Sequence, residues 1–182
     1  MDEKNIKTFE ERLFLDLRTY LLSVKEIDER FPDASDIEER WPKIAESYLP
    51  DGIREFADYP TVSLGWMMYM GMAVAKYWDD AWEIYGKMDD LYVYLRDKGG
   101  YDVMDEYIRS AVLGLGQPGF DDTEKLVQEC AERTYAALRR EGIQSATKEA
   151  FDAYVDCLHQ LYIMGAAVQL HRMGYHMEKM FV

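Results

Sequence analysis

The chain has 182 residues, of which 48% are hydrophobic and 14% aromatic. That is enough apolar material for one sizeable core, so neither intrinsic disorder nor a disulfide- or metal-stapled mini-domain is expected. A net charge of −14, from 35 acidic and 21 basic side chains, repels phosphate backbones and anionic lipid, so nucleic acid and membrane surfaces are not expected partners.

The first predicted helix spans Ile6 to Phe31. Ile6, Phe9, Leu13, Leu17, Tyr20, Val24, Ile27 and Phe31 recur at steps of three and four and trace one face, with Glu11, Arg12, Asp16, Arg18 and Lys25 off it. Pro32 stops it. A second helical region covers about Asp36 to Asp58. It is read as interrupted, since Pro42 suits a helix start or kink and Pro50-Asp51-Gly52 has the chemistry of a turn.

The third helix is expected from Thr61, as N-cap, to about Met88. Its stretch Val62 to Ala75 has no charge but is too short to cross a bilayer, which suits a buried core helix. A short helical piece follows at Asp89 to Lys98, then a fourth helix from about Asp102 to Leu115. A fifth runs from near Asp122 to Arg140 with Gly142 beyond it, and the last opens at Ser145 or Thr147 and continues almost to the C-terminus. No stretch alternates long enough for a strand. The fold class is therefore all-α: a single domain over 1–182, built as a bundle of about six main helices.

Self-similarity sharpens this picture. Arg54–Val74 aligns without gaps to Lys148–Val168, with identities at Glu55/Glu149, Asp58/Asp152, Leu64/Leu158, Met70/Met164, Gly71/Gly165, Ala73/Ala167 and Val74/Val168. Two pseudo-repeated three-helix units, about 1–95 and 96–182, are expected. A glycine inside a helix costs ~1 kcal/mol against alanine, so it calls for a packing reason. Gly71 and Gly165 are expected to mark where the third and sixth helices cross.

Candidate chemistry is sparse. Trp66, Met70, Tyr77 and Trp78 belong to a Met- and aromatic-rich surface that suits either a core or an adaptable ligand site. Asp79 and Glu83, four apart on one face beside Trp78 and Trp82, are candidate charged groups; ordinary surface ion pairs (Lys76–Asp80, Glu83–Lys87) are the plainer reading. His159 joins this candidate pocket between the two halves. His159, His171 and His176 do not share a face, and Asp156-Cys157-Leu158-His159 has no second copy, so no metal site is expected.

There is no phosphate loop, GxSxG or cysteine signature, so no catalytic residue and no cofactor is assigned. Cys130 and Cys157 are expected to be reduced thiols in a cytoplasmic protein, and the charged, amphipathic start does not read as a signal peptide. Met173, Met177, Met180 and Phe181 form an apolar edge that caps the core or marks a homodimer contact.

The function expected on these grounds is a non-enzymatic helical protein-interaction or scaffolding module with an unknown protein partner. The alternative is a small-molecule binder or enzyme with an apolar, aromatic pocket between the halves. A minor reading is an acidic decoy for a nucleic-acid-binding protein.

Overall fold

A computed structural model describes residues 7–30 and 34–175. Among them the chain is all-helical and has no strand: α1 (Phe9–Ser23), α2 (Ser35–Glu38), α3 (Trp41–Asp58), α4 (Pro60–Tyr85), α5 (Leu91–Gly99), α6 (Met104–Tyr107), α7 (Gly119–Arg140) and α8 (Lys148–Arg172). These helices form a bundle, and none of them is long and apolar enough to cross a membrane.

The axis of the bundle is the packing of α4 on α8. Every residue of α4 from Ser63 to Ala75 is buried, so the helix is apolar on all sides because all sides meet protein. At the crossing the two backbones touch. A Cβ added at Gly71 would lie 2.0 Å from Tyr162 O, and one at Gly165 would lie 2.0 Å from Met68 O. Those acceptors, Met68 and Tyr162, are equivalent in the same ungapped alignment that pairs the two glycines. The contact is thus reciprocal. The likeness does not extend to the flanking elements: α7 is one unbroken helix, whereas the stretch that the same offset aligns with it holds, among its described residues, the single turn α2, a break, and the start of α3.

The expected elements shift in several places, each for a local reason. Helix α1 stops at Ser23 and does not reach Phe31, which lies outside the described residues, as does Ile6. Lys25 takes a left-handed φ of 61°, with its N–H donating to Leu22 O and that of Glu26 to Leu21 O. This is the double bond of a glycine-type helix end, formed here by lysine.

Helix α3 runs through Pro50, so Pro50-Asp51-Gly52 is not a turn. Gly52 is required by close packing: a Cβ there would come within 2.5 Å of the Tyr48 ring and 2.7 Å of the Tyr154 hydroxyl. Helix α4 starts at Pro60 with Tyr59 at the cap, so Thr61 is not the N-cap. Proline suits that first position because its missing N–H has no partner in the first turn.

The expected helix 102–115 is broken into a 3₁₀ turn (Tyr101–Val103), α6, and a π-turn (Ile108–Val112). Helix α7 begins at Gly119, ahead of Asp122, and α8 ends at Arg172, where Gly174 adopts φ +87°. Thr147 does cap α8, its Oγ1 accepting from Ala150 N at 3.1 Å.

Candidate functional site

The seven residues expected to line one pocket are dispersed. Met70 is sealed in the core. Tyr77 stacks on Tyr85 at 3.9 Å between centroids. The Trp78 indole N–H donates to Asp36 at 3.3 Å, and its ring meets Tyr175 edge-on. Asp79 is exposed and accepts from the Tyr175 hydroxyl; Glu83 is exposed.

Asp79 and Glu83 do not share a helical face, because Ala81 between them leaves helical geometry (φ −163°, ψ 63°) and kinks α4. Lys76 pairs with Asp80 at 3.1 Å on the near side of that kink. The seam between the halves is closed at Gly71 and Gly165 by backbone contact, which leaves no room for a ligand there. Of the C-terminal edge, Met173 packs on the core, and Met177, Met180 and Phe181 lie outside the described residues, as does His176.

His159 sits elsewhere, at the junction of α8 with α1, α2 and α3. Its ring lies parallel to Trp41 at 4.9 Å, its Nε2 meets Glu38, and its Nδ1 is 3.6 Å from Glu10. Neighbouring Gln160 donates to Glu10 at 2.8 Å, and Tyr162 donates to Ile37 O at 2.6 Å. His171 pairs with Asp28 at 3.2 Å, and Arg172 grips Glu26 through two bonds of 2.9 and 3.1 Å. These side chains fasten the α1–α2 segment to α8. Among the described residues no group of histidine, cysteine and carboxylate side chains is placed to hold a metal.

A buried polar network lies near the start of α4. Tyr48 donates to Ser63 O at 2.5 Å, and Ser63 Oγ donates to Gly52 O at 2.8 Å. With the serine proton committed, the Tyr154 hydroxyl is the donor to Ser63 Oγ. Burial pushes the phenols of Tyr48 and Tyr154 up and so holds them neutral. The Cys130 thiol is pushed up to about 12, chiefly by burial and then by Glu129, and burial raises Cys157 as well. A thiol acts as a nucleophile through its thiolate, which this environment suppresses.

Two of the open sites among the described residues combine apolar and charged side chains in ways that bear on function. The larger is a groove of about 850 Å³ at the meeting of the α3 C-terminus, the α7 C-terminus and the α8 N-terminus. Phe56 anchors its floor, packed at 4.9 Å on Tyr154 and 6.0 Å edge-on to Tyr135. Leu138, Ile143 and Phe151 complete the apolar wall, and among the described residues the only charged side chains lining it are Asp58 and Arg139. Ile53 is 48% exposed and Phe151 43%, large apolar side chains left in solvent at the groove's edge.

The smaller site is a cavity of about 180 Å³ between α4, α6 and α7, lined by Gly65, Trp66, Tyr69, Val127 and Ala131 and rimmed by Asp105 and Glu124. Beside it Arg109, only 2% exposed, bonds Asp105 and Glu124 at 3.2 Å each and lies 3.9 Å over the Phe120 ring. The π-turn that carries Arg109 turns its guanidinium inward, toward Phe120 O at 3.3 Å. Of the candidate residues, Trp66 lines this cavity, and the carboxylates beside it are not those the sequence pointed to.

Compared with family models, curated proteins and solved structures, the chain matches none of them.

Proposed function

We propose that the chain is a non-enzymatic helical protein-interaction module, cytoplasmic, whose partner lays an amphipathic helix into the groove between α3, α7 and α8. The observation that carries this reading is the groove itself. It combines a ring-packed floor with Phe151 and Ile53 exposed together at the edge of one apolar concavity. Exposed apolar surface of this kind, poor in charge and rimmed by polar residues, is what a partner's apolar face covers. Net charge supports the partner's remaining chemistry: at −14 the module attracts a helix with basic flanks and repels an acidic one, a second copy of itself included.

Two further observations favour binding over catalysis. The resolved shifts of the tyrosines and cysteines all run toward the neutral, unreactive form. The seam once expected to hold a substrate is filled at its crossing.

Selection from a random peptide library tests the reading. The wild-type chain is the bait, and the Ile53→Asp, Phe151→Asp double variant is the counter-bait. Both sites are exposed, so the variant folds, as circular dichroism will verify. The expected winners carry apolar residues at i, i+3, i+4 and i+7 with a net positive charge. No sequence that distinguishes the two baits, or wild-type self-association in light scattering that the double variant abolishes, overturns the proposed partner.

A further inference from the structure

The small cavity beside Arg109 has a composition of its own, and its argument is independent of the groove. Three observations meet there.

The first is space. Gly65 lies inside α4, in its second turn, where glycine costs ~1 kcal/mol against alanine. At Gly71 a backbone crossing demands glycine. At Gly65 no backbone is near; an added Cβ would meet only side chains, Val127 Cγ1 at 3.2 Å and Ala131 Cβ at 3.9 Å. What the missing side chain leaves is the apolar floor of the cavity, formed by Gly65, Val127 and Ala131.

The second is charge. Asp105 and Glu124 rim the cavity and share a single guanidinium, that of Arg109. Two carboxylates, Asp105 partly buried and Glu124 exposed, against one cation leave one negative charge uncompensated. Desolvation pushes the Asp105 carboxyl above its ordinary range, Arg109 notwithstanding. The third is the engagement of the arginine, which besides its two carboxylates donates to Phe120 O and Asp105 O, so most of its N–H groups already have acceptors and Arg109 is poorly placed to offer the cavity an anion site.

We propose that this cavity binds a small alkylammonium ion, its chain against Gly65, Val127 and Ala131 and its ammonium group between Asp105 and Glu124. An ammonium supplies the missing positive charge and N–H donors to carboxylates that can only accept. About 180 Å³ accommodates a chain of a few carbons. Trp66 and Tyr69, which also line the cavity, add ring surface that tolerates a nearby cation.

Nuclear magnetic resonance titrations of the full chain with n-butylammonium, n-butanol and butyrate at constant ionic strength decide the matter. Butylammonium is expected to shift the backbone amides of Gly65 and Ala131 saturably, with a Kd of about 1 mM for a ligand of this size. Butanol and butyrate are expected to bind about tenfold more weakly or not at all, and Glu124→Gln to weaken butylammonium about tenfold. Glu124 is exposed, so that variant keeps its fold. Gly65→Ala, which narrows the floor, is expected to abolish the saturable shifts. Equal binding of butanol, unchanged affinity in Glu124→Gln, or shifts that spread over the acidic surface without saturating each overturn the proposal.

Discussion

At its midpoint α8 meets α4 backbone to backbone, whereas along its flank it is joined to the α1–α2 segment by long charged side chains. The first contact has no slack. Gly71 and Gly165 each sit where a single added carbon would overlap a carbonyl oxygen, so the helices cannot accept it without moving apart. The second is made of Arg172–Glu26, His171–Asp28 and His159 with Glu38 and Glu10, partly solvated pairs that can adjust. Close packing sets where the two main rods lie; charge sets how firmly the N-terminal segment is held against them. Substitutions at the two places therefore differ in size and in their response to solution conditions.

The largest effect is expected at the crossing. Gly71→Ala or Gly165→Ala should destabilise the chain by about 3 kcal/mol or more, at or beyond the usual cost of overpacking, because the obstacle is backbone. For a domain of this length that lowers Tm by about 6–12 °C. Gly116→Ala, with nothing within 4 Å of the new carbon, should change stability by less than about 0.5 kcal/mol. Equal losses at Gly71 and Gly116 in denaturant melts would refute the close-crossing account.

A smaller effect is expected at the charged flank. Arg172→Met removes two bonds to Glu26 and one to the buried Thr123 hydroxyl at 2.8 Å, a loss of about 1–2 kcal/mol. Unlike the glycine effect, its ionic part should shrink in about 1 M salt, where screening acts within a few ångströms. A salt-independent loss would mean that packing of the arginine stem, and not its charge, does the holding.

The smallest effect has the opposite sign. Asp156, next to this flank on α8, has its carboxyl pushed up by desolvation first and then by Glu10 and Asp152, against a weaker pull from His159. An acid whose folded value is raised binds more protons folded than unfolded, so its contribution to stability falls as pH rises through that interval. Asp156→Asn should therefore raise the urea midpoint modestly at neutral pH. The gain should vanish as pH drops below the ordinary carboxylate range, where the wild-type acid is neutral in both states. A gain that persists in acid would contradict this cause.

The helical class and the crossing were legible in the sequence because both follow from local pattern: periodic apolar residues, and two mid-helix glycines in like surroundings. The glycine end of α7 at Gly142 and the Thr147 cap were legible for the same reason. What escaped were features that a tertiary contact decides. Lys25 ends α1 in a conformation more usual for glycine. Gly52 looks like a turn residue but makes way for two tyrosine rings. Ala81, an excellent helix former, is where α4 kinks.

The sites were harder still. Asp105, Arg109 and Glu124 come from a broken helix and the first turns of α7, and nothing in their spacing joins them to Trp66. Their one advance signal was an arginine directly after Ile108, a residue of the helix's apolar face that is buried. The groove was invisible because its wall is assembled from three helix ends, each an ordinary amphipathic terminus on its own.

Burying both cysteines gives the molecule a built-in clock. Cys130 lies in α7 and Cys157 in α8, and neither sulfur is reachable or ionised while its helix is seated. Alkylation can proceed only when the surrounding layer parts, so its rate at each thiol reads the frequency of that parting. Two sulfurs on two helices thus allow separate timing of how often each one works loose, with no label added to the chain.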